Sequence, residues 1–146
     1  MIKRIGITGQ KGFVGSHLYN TLGLYPVRYE RIGFHRDYFE NPEKLDDFVK
    51  QCDVIVHLAA VNRHESQEFI YETNVNLAQK LADSLERTGS KAHVLFSSSS
   101  QEERDNLYGK SKKEGREILA GAAAKNGGAF TGLIIPNVFG PFGAPN

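Results

Sequence analysis

Apolar positions along this 146-residue chain follow two alternating rhythms. Short runs rich in Ile and Val, at Ile2–Thr8, Val27–Ile32, Asp53–Leu58, His93–Ser97 and Phe130–Pro136, read as strands. Between them lie four stretches with helical spacing: Phe13–Leu24, Pro42–Gln51, Gln67–Arg87 and Asn106–Lys125. The third is the clearest, with Phe69, Ile70, Val75, Leu77, Ala78, Leu81, Ala82 and Leu85 forming one apolar stripe. The run DVIVHLAA (53–60) is apolar almost without interruption, the pattern of a strand covered on both faces. Regular alternation of strand and helix implies right-handed crossovers, hence an α/β fold with a parallel sheet between helical layers.

The segment GITGQKGFVGSHL (6–18) sets Gly9, Gly12 and Gly15 at three-residue intervals in the turn between the first strand and the first helix. A helix start leaves backbone N–H groups unpaired and carries partial positive charge, so it suits a phosphate. The first glycine permits the tight turn, the second lets the backbone approach a pyrophosphate, and the third lets helix and strand pack closely. A strand before it and a helix after it are the context that a dinucleotide-binding turn demands. The expected architecture is therefore a Rossmann-type, doubly wound parallel sheet in the order 3-2-1-4-5, with Ser99 and Asn137 at strand carboxyl ends beside the switch-point crevice.

Composition narrows the picture by exclusion. A net charge of +1 gives no reason to expect nucleic acid or an anionic membrane as partner. The single cysteine, Cys52, rules out a disulfide framework and a cysteine-cluster metal site, and the five histidines (17, 35, 57, 64, 93) have no ligand spacing, so no metal is expected. No apolar run nears a membrane span and the N-terminus has no signal-peptide pattern, which makes the cytoplasm the expected address.

Six segments then occur in a telling order. TGQKGFVGSHL, VIVHLAAVN (54–62), TNVNLAQKL (73–81), LFSSSS (95–100), YGKSK (108–112) and PNVFGP (136–141) resemble, in sequence order, the motifs of the extended short-chain dehydrogenase/reductases, the NAD-dependent epimerase/dehydratase family. In TNVNLAQKL the family's Gly-Thr is replaced by Leu77-Ala78. The resemblance implies a dinucleotide held by Gly9, Gly12, Phe13, Val14 and Gly15, by Leu58, Ala59 and Ala60 at the end of the third strand and just beyond it, and by Asn74, Ser97, Tyr108 and Lys112. It implies that Tyr108 is the general acid/base, that Lys112 also binds the nicotinamide ribose, and that Ser99, third of the serine run, hydrogen-bonds the substrate oxygen. It also implies that Asn137 contacts the sugar nucleotide. Tyr108 and Lys112 stand four residues apart at a helix start, so their side chains share a face, and a nearby ammonium is expected to lower the tyrosine pKa.

Two departures sharpen the reading. Only nine positions carry the chain from Ser99 to Tyr108, a shorter loop than most extended members use. Where dehydratases of the family carry Asp-Glu after the catalytic Ser/Thr, this chain has Ser100-Gln101, which disfavours elimination of water. The segment SSSSQEERDNLYGKSK, with HLAAVNRHE and PNVFGPFGAPN, most resembles the N-terminal reductase domain of bacterial capsular-polysaccharide enzymes that reduce a UDP-linked 4-keto-6-deoxy-N-acetylhexosamine. In that subgroup the reductase domain precedes a metal-binding cupin domain. The expectation is that residues 1–146 form one NAD(P)-binding domain, C-terminally truncated, without the rest of the substrate-binding part or a cupin, and that the full-length protein is a homodimer.

Beyond the second strand the chain reads GFHRDYF (33–39). Here His35 and Arg36 suit an NADP 2′-phosphate, and Asp37 is the competing NAD-type carboxylate. NADP(H) is favoured, with NAD(H) the alternative. Glu30, Asp53 and the pair Glu102–Glu103 read as surface or loop charges. Three functions fit: an NADPH-dependent keto-sugar-nucleotide reductase, an NAD-dependent epimerase using the same three residues, and a dinucleotide-sensing regulator without turnover. The intact set Ser99, Tyr108 and Lys112 weighs against the last.

Overall fold

A computed structural model of the chain describes residues 1–136. Its strands are β1 (Lys3–Thr8), β2 (Tyr29–Ile32), β3 (Val54–His57), β4 (His93–Ser99) and β5 (Phe130–Ile135), and its α-helices are α1 (Phe13–Leu22), α2 (Pro42–Gln51), α3 (Gln67–Thr88) and α4 (Leu107–Asn126). Two short 3-10 helices, Arg36–Glu40 and Ser100–Glu103, are additions that the periodicity did not signal. All strand pairs are parallel. Every predicted strand and α-helix is present, with ends shifted by one or two residues.

The strand order is 2-1-3-4-5, which corrects the expected 3-2-1-4-5. The third strand pairs with both β1 and β4 and so lies mid-sheet. Burial explains it: Ile55, Val56 and His57 are 0%, 6% and 1% exposed, and a strand apolar on both faces loses least by sitting between two neighbours under cover. The chain thus runs outward from β1 to β2, then crosses back over β1 to β3. The direction of winding reverses between β1 and β3, and an open α/β sheet places its crevice at that reversal.

One core cluster joins Phe34, Phe48, Ile55, Leu81, Leu85, Val94, Phe96 and Leu119, with α2, α3 and α4 on one face of the sheet. The smaller cluster of Ile5, Ile7, Leu22 and Val56 seats α1 on the other. The stripe predicted on α3 is only partly the buried one: Ile70, Ala78, Leu81, Ala82 and Leu85 are buried, whereas Phe69 is 45% exposed, with the His64 ring stacked on it at 4.1 Å. Among the described residues no helix is long and apolar enough to cross a membrane.

Helix ends distinguish one helix from the rest. Asn41, Ser66 and Asn106 cap α2, α3 and α4 by accepting a backbone N–H of the first turn. Helix α1 begins at Gly12 with no side-chain cap.

Candidate functional site

A cleft of about 1010 Å³ opens at the carboxyl ends of β1, β3 and β4. One wall is the glycine turn with Gly9, Gly12, Phe13, Val14 and Gly15; the back is Leu58, Ala59 and Ala60; the opposite wall carries Ser97, Ser99, Gln101, Tyr108 and Lys112.

The glycines meet three different demands. Gly9 has φ +76°, and a side chain there would crowd the backbone N of Ala59 at 3.0 Å. A Cβ on Gly15 would lie 2.1 Å from the Gly9 carbonyl oxygen, so only glycine lets α1 pack onto the turn. A Cβ on Gly12 would meet nothing closer than that same oxygen at 3.3 Å, so the fold tolerates more there. What lies in front of Gly12 is the cleft and the uncapped start of α1, whose first N–H groups lack intrahelical partners. This donor set at a positive helix end matches the pyrophosphate of a dinucleotide.

Thr8 and His57, which sequence reasoning passed over, hold the back of the cleft. The Thr8 Oγ1 accepts the N–H groups of Leu58 and Ala59 at 3.1 and 3.2 Å, so its own proton goes to His57 Nδ1 at 2.8 Å. That leaves the His57 proton on Nε2. Burial, with the nearby Lys112 charge, pushes its pKa down to about 3, so the ring is a neutral packing element, stacked on Phe96. No local pattern marks this pair, since Thr8 and His57 stand 49 residues apart in the chain.

The opposite wall grows from the last residue of β4. Ser99 Oγ accepts the N–H of Gln101 at 3.1 Å, and Ser99 stands close enough to the Tyr108 hydroxyl to draw its pKa down. One turn further along α4, Lys112 is 5% exposed; its Nζ donates to the Ser97 carbonyl at 3.0 Å and stands 5.9 Å from the centre of the Tyr108 ring. Burial lowers the Lys112 pKa to about 8, against a raising influence from Glu102. Tyr108 is corrected in sign: its pKa is raised, because burial outweighs the lowering influence of Ser99. The ammonium that was to lower it is directed at the Ser97 carbonyl instead. At neutral pH the site therefore holds a protonated phenol beside a cationic amine.

A braced turn fixes this wall. Asn106 Oδ1 accepts the N–H of Gly109 at 2.7 Å, and a Cβ on Gly109 would stand only 1.9 Å from the Gln101 carbonyl oxygen. Glu102, read from sequence as a loop charge, instead forms a two-pronged ion pair with Arg116 of α4 at 2.8–3.2 Å, its side chain 11% exposed. Asp53 pairs with Arg4 and accepts its backbone N–H, a tie across the start of β1.

Other predicted residues lie elsewhere. His35, Arg36 and Asp37 are exposed beyond β2 and do not line the main cleft; His35 and Asp37 border a shallower hollow with Tyr38 and Lys44. The Gln10 side chain of the glycine turn accepts the Phe34 N–H at 3.2 Å, which ties this loop to the turn. Asn74 is 6% exposed and outside the cleft lining; its amide bonds the Val61 N–H, the Val61 carbonyl and Ser111, bracing the loop after β3 against α4. Asn137 lies outside the described residues.

Comparison with known proteins places this geometry in context. The model of the NAD dependent epimerase/dehydratase family matches residues 5–146. The chain is 33% identical to UDP-2-acetamido-2,6-beta-L-arabino-hexul-4-ose reductase of Pseudomonas aeruginosa, over 98% of the chain and 38% of that relative. It is also 33% identical to the capsular polysaccharide assembling protein CapF of Staphylococcus aureus, with a TM-score of 0.75 over 98% of the chain and 37% of that protein. RMD from Pseudomonas aeruginosa, solved with NADPH, superposes with a TM-score of 0.80 at 20% identity, over 94% of the chain and 53% of RMD, a likeness of fold. The chain thus spans less than two fifths of the length of the two relatives it matches at 33%.

Proposed function

The chain belongs to the NAD dependent epimerase/dehydratase family, and from that premise we propose that it is the dinucleotide-binding part of an enzyme that uses NADPH to reduce a UDP-linked 4-keto-6-deoxy-N-acetylhexosamine for surface-polysaccharide synthesis. The observation that carries the proposal is the convergence of Ser99, Tyr108 and Lys112 on one wall of a cleft whose other wall is an uncapped helix start. The 33% identity to a reductase of a UDP-linked ketohexose derivative supports the substrate class.

A bound nicotinamide dinucleotide supplies the hydride that reaches the keto carbon. The chain's own residues do the rest. Ser99, at the strand end, donates to the keto oxygen. Tyr108 gives that oxygen its proton as the C=O π bond breaks, so the ketone becomes a secondary alcohol and the tyrosine a phenolate. Lys112, fixed by the Ser97 carbonyl, supplies the charge that stabilises the phenolate and a donor for the ribose. Dehydration is disfavoured: position 101 carries an amide, and the nearby Glu102 carboxylate is held by Arg116.

The preference for NADPH rests on Arg36, which opens the 3-10 helix just past β2 in a loop tied to the glycine turn. A guanidinium there suits a 2′-phosphate. Arg36→Ala is expected to weaken NADPH much more than NADH in calorimetric titrations. Equal losses for both would pass the choice to Asp37 and to NAD. The function itself is tested by NADPH oxidation with the complete protein and the UDP-4-keto-6-deoxy sugar. Interconversion of C4 epimers without net oxidation of NADPH would establish an epimerase, and dinucleotide binding without turnover a sensor.

A further inference from the structure

The orientation of one side-chain amide in the cleft follows from its neighbours. Asn106 Oδ1 is committed to the Gly109 N–H as the cap of α4, so the other end of that amide is Nδ2, which donates to Gln101 Oε1 at 3.3 Å. With its oxygen engaged by Asn106, Gln101 has Nε2 left over: two N–H donors for which the described residues provide no acceptor. The residue is half-buried and lines the same wall as Ser99 and Tyr108. Its backbone is held as well, the N–H by Ser99 Oγ at 3.1 Å and the carbonyl by the Arg104 N–H at 2.9 Å, with Gly109 packed against that carbonyl. An amide fixed at both backbone and side chain, with donors to spare beside the reacting groups, is organised in advance to bind a ligand.

We propose that Gln101 is a substrate-binding, specificity-determining residue whose Nε2 donates to a neutral oxygen acceptor on the sugar, next to the carbon that reacts at Ser99 and Tyr108. This deepens the reductase reading and rests on it. An uncharged donor places no net charge beside the reacting carbonyl and pairs with a hydroxyl or amide oxygen of the sugar. The binding is made equally in ground and transition states, so its loss raises KM and spares kcat.

The test compares two variants of the complete protein in NADPH oxidation with the UDP-4-keto-6-deoxy-N-acetylhexosamine. Gln101→Glu keeps an oxygen for Asn106 but replaces the donors with an acceptor; Gln101→Ala removes both. A residue that only braces the turn would tolerate the glutamate and suffer from the alanine. The proposal expects the reverse ranking or equality: Gln101→Glu raises KM about 10-fold or more, the scale of one lost hydrogen bond, at unchanged NADPH affinity and unfolding temperature. Calorimetric titration with the UDP-sugar product should give the same ranking without turnover. A Gln101→Glu variant with wild-type KM and product affinity overturns the assignment while the reductase reading stands. A wild-type protein that oxidises no NADPH with the keto sugar nucleotide overturns both.

Discussion

Tyr108→Phe leaves NADPH affinity little changed and slows turnover of the complete protein at least ~10²-fold, the usual size of general acid catalysis. The tyrosine is half-buried, so phenylalanine keeps the packing and removes only the hydroxyl that meets Ser99. Because burial holds the Tyr108 pKa above its ordinary range, the missing group is a proton donor across neutral pH. Lys112→Met is the informative companion. It removes the charge and the contact to the Ser97 carbonyl together, so rate and dinucleotide affinity should both fall. Steady-state NADPH oxidation with the UDP-4-keto-6-deoxy sugar, paired with calorimetry, separates the two. A Tyr108→Phe variant with the wild-type rate would reduce the Tyr-Lys spacing to a helix-surface coincidence and advance the sensor reading.

Gly12→Val abolishes dinucleotide binding in a protein that still folds. Gly12 has φ −74° and ψ 178°, extended backbone that valine adopts, and its nearest neighbour would be one carbonyl oxygen at 3.3 Å. The added methyl groups instead occupy the space in front of the unpaired N–H groups of α1, the position proposed for the pyrophosphate. Gly15→Ala fails differently, with a Cβ driven to 2.1 Å from the Gly9 carbonyl oxygen. Overpacking of this kind costs ~1–3 kcal/mol, so the second variant loses stability before affinity. Circular dichroism melts and calorimetric titration of both proteins check the contrast. Retained micromolar NADPH affinity in Gly12→Val would remove the pyrophosphate from the start of α1.

What the sequence disclosed and what it withheld divide along physical lines. Element types were legible because periodicity is local: a near-continuous apolar run at 54–58 can only be a buried strand or helix segment, and its brevity settles which. Its neighbours were not, since pairing joins residues far apart in sequence. Yet the same run argued for a central position, and an edge placement contradicted the two-sided cover already inferred for it. The glycine turn and the Ser99, Tyr108 and Lys112 wall were found because motifs carry spacing. The bracing was missed because Glu102–Arg116 and Thr8–His57 are 14 and 49 residues apart and signal nothing locally. Asn74 belonged to a recognisable motif, but only the fold shows its amide bonded to Val61 and Ser111. The sign of the Tyr108 shift turned on burial, which no spacing reveals.

The buried amine of Lys112 sets activity and durability against each other on the alkaline side. Unfolded, it keeps its proton to about 10.5; folded, it gives it up near 8. Between those values the unfolded chain binds more protons, so rising pH favours the folded state. Cys52 acts in the opposite sense, its buried thiol held up to about 12 against an ordinary 9.0, so rising pH erodes that gain once free thiols ionise. The clean interval is therefore pH 8 to 9. Across it, the dinucleotide-free chain should resist urea better as the pH climbs, and Lys112→Met should lose that increase. Over the same interval turnover should decline, as the cation beside Tyr108 is neutralised. Parallel urea-midpoint slopes for wild type and Lys112→Met would show that the amine is already solvated. Otherwise, the pH at which this protein is hardest to unfold lies above the pH at which it works best.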